Sequence, residues 1–169
     1  MDIDCNMFPI LDDPEGAGGT NKHIGTHRAL MGQVIDANDG CFLAEVMTLC
    51  WEKILQNDKS FLEDPKGLAL VFWCTYGKQR STAVAAVLRY CMERSGWNLY
   101  GNANTFGSKP EITLLSHDVY EKFSCGRHKC HQCDDLITCR TGCDLQTAYD
   151  IWCDIATNVM NKRGRRHRT

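Results

Sequence analysis

Six consecutive apolar residues, Leu68-Ala69-Leu70-Val71-Phe72-Trp73, end at a segment of different character, Cys74-Thr75-Tyr76-Gly77-Lys78-Gln79-Arg80-Ser81. An apolar run of this length suits a strand buried on both faces, as in a parallel sheet. Beyond the segment, Val84, Val87, Leu88, Cys91 and Met92 recur at helical spacing, and Gly96 is placed to stop that helix. Trp97 to Tyr100 reads as the next strand. Strand, glycine-containing loop, helix and strand make a β-α-β unit. The expected fold class is α/β, a small mostly parallel sheet with flanking helices.

The flanking sequence fits this frame. Met1 to Cys5 alternates weakly and reads as a first strand. Asp12-Asp13-Pro14-Glu15-Gly16-Ala17-Gly18-Gly19 is turn chemistry. Asn21 to Gly32 carries His23, His27 and a turn-like Gly25-Thr26. Cys41 to Gln56 has the rhythm of a helix in Phe42, Leu43, Val46, Met47, Leu49, Cys50, Ile54 and Leu55, and Asp64-Pro65-Lys66-Gly67 breaks the chain. Four parts are expected: an α/β domain over 1–105, a Cys/His-rich segment over 106–143, a helix over 144–161 that Asp144 caps, and a basic tail over 162–169.

At 169 residues the chain can bury one real core. No run approaches the ~18 apolar residues of a membrane span. The first five residues, Met1-Asp2-Ile3-Asp4-Cys5, are acidic and lack the apolar stretch of a secretory signal, so a cytoplasmic or nuclear protein is expected. The 11 cysteines, an odd count, then read as reduced core thiols plus a metal site. Lys162, Arg163, Arg165, Arg166 and Arg168 crowd the tail; removing these five from a net charge of −2 leaves the body near −7. A body this acidic offers no broad nucleic-acid surface, whereas the tail could contact a polyanion. Self-association is left open.

The Cys74–Ser81 segment has the chemistry of an anion-binding loop. A loop that leaves a strand and enters a helix turns backbone N–H groups inward, and the helix N-terminus adds positive partial charge. Gly77 lets the backbone approach the anion. Arg80 offers a planar fork for two phosphate oxygens. Ser81 can cap the helix, bond the anion, or both.

Two families resemble this segment. Protein tyrosine phosphatases carry His-Cys-x-x-Gly-x-x-Arg-Ser/Thr. That likeness implies Cys74 as thiolate nucleophile and Arg80 as phosphate clamp, with Ser81 helping the thiolate leave; Trp73 stands where those enzymes have histidine. A general-acid aspartate is also required, and Asp39 and Asp64 are the candidates. The longer likeness is to the C-terminal domain of RapZ-type RNase adapters, whose loop reads Gly-Cys-Thr-Gly-Gly-x-His-Arg-Ser before a helix. Asp4-Cys5-Asn6, Asp13-Pro14 and His23-Ile24-Gly25-Thr26-His27 resemble further segments of that family in the right order. The resemblance covers about residues 1 to 100. It implies a domain that binds a phosphorylated small molecule or an RNA backbone through Cys74, Thr75, Tyr76, Gly77, Lys78, Gln79, Arg80, Ser81 and Thr26. His23 and His27, four apart near Thr26, could line the same pocket, though such histidines are more often ordinary loop residues.

From Phe106 the texture changes. Cys125-x4-Cys130-x2-Cys133 sets three thiols in a tight knuckle, and tetrahedral zinc wants four ligands. His117 is the favoured fourth, with Cys139 and Cys143 as competitors. Few aliphatic residues lie between Gly107 and Cys143, so a structural zinc would order what burial alone could not. Protein purified under reducing conditions without chelator should contain one zinc per chain. His117→Ala should lose it; a zinc-free protein with native spectra and full chelator resistance would remove the site.

Overall fold

A computed structural model of the chain describes residues 1–13, 23–57, 70–75, 77, 79–95 and 145–166. Among these, four helices and a two-stranded parallel sheet form an α/β arrangement. Strand β1 is Asp2–Asp4, followed by a 3-10 turn over Cys5–Met7. Then come α1 (Arg28–Asp36), α2 (Cys41–Asn57), β2 (Val71–Trp73), α3 (Arg80–Arg94) and α4 (Leu145–Arg166). The expected strand at Trp97–Tyr100, the cap Asp144 and the whole Cys/His-rich segment lie outside the described residues.

β1 and β2 pair in parallel, with Asp2 beside Val71, Ile3 beside Phe72 and Asp4 beside Trp73. Side chains alternate across a sheet. Ile3 is therefore buried on the helical side, while Val71 and Trp73 are 50% and 46% exposed. The apolar run was expected to be covered on both faces. The described helices cover one, because α3 returns over the Ile3 and Phe72 side.

The helices form one apolar layer. α4 packs on α2 and α3, and α1 packs on α3. Trp51 of α2 and Trp152 of α4 stack with ring centroids 4.7 Å apart. The Trp152 indole N–H donates to Ser95 Oγ at 3.1 Å, and that hydroxyl donates to the Cys91 carbonyl at 2.6 Å. The C-terminus of α3 is thereby tied to α4. The helical backbone of α4 continues through Lys162 to Arg166, beyond the expected stop at Asn161.

Two turns show why particular residues are needed. Between α1 and α2, Asn38 and Asp39 both have φ of 51° and Gly40 has φ of 79°. Asn, Asp and Gly are the types that tolerate the left-handed region. At the other end of α1, His27 Nδ1 accepts the Ala29 N–H at 3.2 Å and caps the helix. Just before it, Gly25 lies against the first turn of α3. A Cβ there would sit 2.1 Å from the Gln79 carbonyl oxygen and 2.4 Å from the Ala83 nitrogen, both backbone atoms.

That contact separates two glycines. Gly25→Ala must force α1 and α3 apart, and overpacking of this kind typically costs about 1–3 kcal/mol. Gly32, inside α1, has no described atom within 4 Å of its Cβ position beyond its own helix. Gly32→Ala should stabilise by about 0.5–1 kcal/mol, the helix-propensity gain. Urea denaturation of both variants should give shifts of opposite sign.

Candidate functional site

The ends of the two strands decide what stands together. In a parallel pair both chains leave the sheet at the same end. The 3-10 turn after β1 thus meets the loop after β2, and α3 begins beside them. Asp4 opens that turn, its carboxylate accepting the Asn6 N–H at 2.8 Å. This is the C-terminal edge of the strands, where open α/β sheets place ligands.

Asn6 is the hub. Its Oδ1 accepts the Thr75 N–H at 3.0 Å, the Thr75 hydroxyl at 2.8 Å and an Arg80 Nη2 hydrogen at 2.8 Å. The other guanidinium nitrogen, Nη1, donates to the carbonyls of Asn6 at 3.3 Å and Phe8 at 3.0 Å. Arg80 is half-buried at the start of α3, its fork turned onto the N-terminal segment.

The rest of the loop closes around this hub. Gly77 N–H donates to the Cys74 carbonyl at 3.0 Å, with φ of 62° at Gly77. Among the described residues no atom lies within 4 Å of a Cβ built there. The glycine is thus required by its left-handed backbone, where an L-residue would cost about 1–2 kcal/mol. Gln79 precedes the helix without a side-chain cap, its amide instead donating to the His23 carbonyl at 3.4 Å. Ser81 is likewise not the cap. It lies inside the first turn, buried, and receives the Cys74 thiol on its Oγ at 3.3 Å. Capping, one of the roles read for Ser81, does not fit its place two residues beyond the cap position, which Gln79 holds.

The structure thus brings together Cys74, Thr75, Gly77, Gln79, Arg80 and Ser81. Thr26 is buried next to Gly25, at the contact with α3. His23 and His27 stack with centroids 4.2 Å apart, and His23 faces Asp13 at 3.7 Å. Both histidines are buried in packing and capping roles. Tyr76, Lys78, His117, Cys125, Cys130 and Cys133 lie outside the described residues. Among the described residues no group of three His, Cys, Asp or Glu could hold a metal ion, and no helix is long and apolar enough to cross a membrane. Asp39 lies in the turn beyond the C-terminal end of α1, and Asp64, the other aspartate considered, lies outside the described residues.

Sequence reading noted Asn6 only as part of Asp4-Cys5-Asn6, a segment that resembles a family pattern. The signal that finds it is positional: it follows β1 as Thr75 follows β2. Cys5 was missed for the same reason. Its thiol is pushed up to about 12, mostly by burial and further by neighbouring Cys74 and Asp4, against the pull of the Trp73 backbone and Arg80.

Comparison with family models, with curated proteins and with solved structures gave no match.

The hub predicts a stability difference. Asn6→Ala deprives three donors of one acceptor, and leaving such groups unsatisfied typically costs about 1–3 kcal/mol. Asn6→Asp keeps an acceptor and adds charge opposite Arg80, so it should stay close to the parent. Chemical denaturation of the two variants checks this ordering; equal losses would show that shape, and not acceptance, holds the loop.

Proposed function

We propose that this chain binds a phosphorylated ligand through the Cys74–Ser81 loop, in the manner of RapZ-type C-terminal domains. The ligand class is a sugar phosphate, a nucleotide or an RNA backbone. One observation carries the reading: three donors of the loop, from Thr75 and Arg80, converge on a single oxygen, that of Asn6. A phosphate oxygen has the same acceptor chemistry with more charge. Taking that place would turn the two neutral hydrogen bonds from Thr75 into charge-assisted ones, roughly twice as strong, and give the Arg80 guanidinium an anionic partner. The uncapped first turn of α3 adds its N–H groups and dipole. Asn6 then acts as the internal stand-in that keeps the donors aligned until the ligand displaces it.

A second reading has its own support. Cys74 Sγ lies 3.3 Å from Ser81 Oγ. In a cysteine-dependent phosphatase the thiolate attacks phosphorus, the ester oxygen leaves with a proton, and a serine hydroxyl stabilises the thiolate when water releases the phosphate. The pair has the geometry for that last step. The zinc knuckle and the basic tail remain proposals beside both readings, the tail as an additional contact for RNA.

Thermal stabilisation by inorganic phosphate, a sugar phosphate and a short oligonucleotide tests binding. Arg80→Ala should weaken it by about tenfold or more, since a charge-assisted bidentate contact is worth ~1.5–3 kcal/mol. Unchanged affinity in the folded variant would show that the loop is not the site. An aryl-phosphate assay on the native chain and Cys74→Ser decides between the readings. Turnover lost with the sulfur establishes the phosphatase; stabilisation without turnover establishes the binding domain.

A further inference from the structure

The parallel register has a chemical consequence at the strand ends. Asp4 pairs with Trp73, so the residues that follow the two strands are Cys5, which opens the 3-10 turn, and Cys74, which opens the loop. The segments stay together beyond that point, because Thr75 N–H still donates to the Asn6 side chain. Alternation puts both cysteines on the buried side with Ile3 and Phe72. Cys5 is 0% exposed and Cys74 9% exposed, and both are thiols. Neighbouring strands run about 4.8 Å apart. That spacing falls inside the Cα separation of about 4.4–6.8 Å that a disulfide spans.

We propose that Cys5 and Cys74 form a redox-active dithiol site, closing to an intramolecular disulfide when a peroxide reaches the loop. The balance is simple. Cys74 sulfur attacks one peroxide oxygen, giving a sulfenic acid and one water. Cys5 sulfur then attacks the Cys74 sulfur, expelling the hydroxyl as a second water. Two thiols lose two hydrogens and two electrons, and hydrogen peroxide is reduced to two waters. Cys74 is the first nucleophile, since it lies at the mouth of the loop beside the Ser81 hydroxyl. Cys5 is fully buried and so out of reach of peroxide, but it lies next to Cys74, where proximity offsets a thiol pushed up to about 12 in the attack on the sulfenic acid. The disulfide would take Cys74 away from Ser81 and spare it from irreversible oxidation.

Among the described residues a second neighbouring pair exists, Cys91 of α3 and Cys153 of α4. It provides an internal comparison, as do Cys41 and Cys50. The pairing of Cys5 with Cys74 stands whether or not the loop binds phosphate, and its readout is a covalent mass.

The test uses the full reduced chain, treated with equimolar hydrogen peroxide, alkylated, digested and mapped by mass spectrometry. A peptide joining Cys5 to Cys74, formed ahead of other pairings and reversed by dithiothreitol, is the expected result. In Cys5→Ser, Cys74 should instead be trapped as a sulfenic acid by dimedone. The proposal is overturned if Cys74 pairs first with another cysteine, if Cys91 and Cys153 close first, or if Cys74 overoxidises in the native chain while Cys5 remains fully alkylated. The native-chain map decides the matter even where Cys5→Ser folds poorly.

Discussion

Parallel pairing of three residues with three others holds the site in place. Asp2–Asp4 and Val71–Trp73 are distant in sequence, and nothing local would bring Asn6 to Thr75, 69 residues away. Because the strands run the same way, both continuations leave at one edge. The helix that must follow β2 begins there too. Asn6, Arg80, Cys5 and Cys74 share a neighbourhood as a consequence of direction and register. A one-residue slip would turn Cys5 and Cys74 to opposite faces and move Asn6 off Thr75.

So short a ladder is weak by itself, since isolated two-stranded pairings are marginal in water. Its support comes from the helical layer and from Arg80. The stacked Trp51 and Trp152, the bond from Trp152 to Ser95 and the burial of Val84, Val87 and Leu88 hold α3 in place. Arg80, projecting from the first turn of α3, then grips the Asn6 and Phe8 carbonyls. The guanidinium thus has a structural duty as well as the proposed binding one. An anion drawn to Arg80 meets a side chain already oriented, which reduces the entropy lost on binding.

Much of this was legible in the sequence. The periodicity of Val84 to Met92 located α3, and that of Phe42 to Leu55 located α2. The end of the apolar run fixed β2 and the entry to the loop. What could not be read follows from how sequence encodes contact. A continuous apolar run does not say which face is covered, so the exposure of Val71 and Trp73 was unforeseen. Ser81 looks like a cap because caps are serines, but the helix starts one residue earlier, at Arg80. Asn6 carries no local pattern, since its partners come from a strand elsewhere in the chain. By contrast, Asn38-Asp39-Gly40 announces its left-handed turn through residue type alone. The Cys/His spacing from His117 to Cys133 remains a sequence argument, outside the described residues.

Gly25 gives the architecture a mechanical property. Side chains between helices act as compliant spacers, because rotamers can shift to absorb small displacements. At Gly25 there is no spacer, and backbone meets backbone at the carbonyl of Gln79 and the amide of Ala83. The linkage between the start of α1 and the start of α3 is therefore stiff. The chain that leads into α1 thus rests directly on the first turn of α3, against the residues on either side of Arg80.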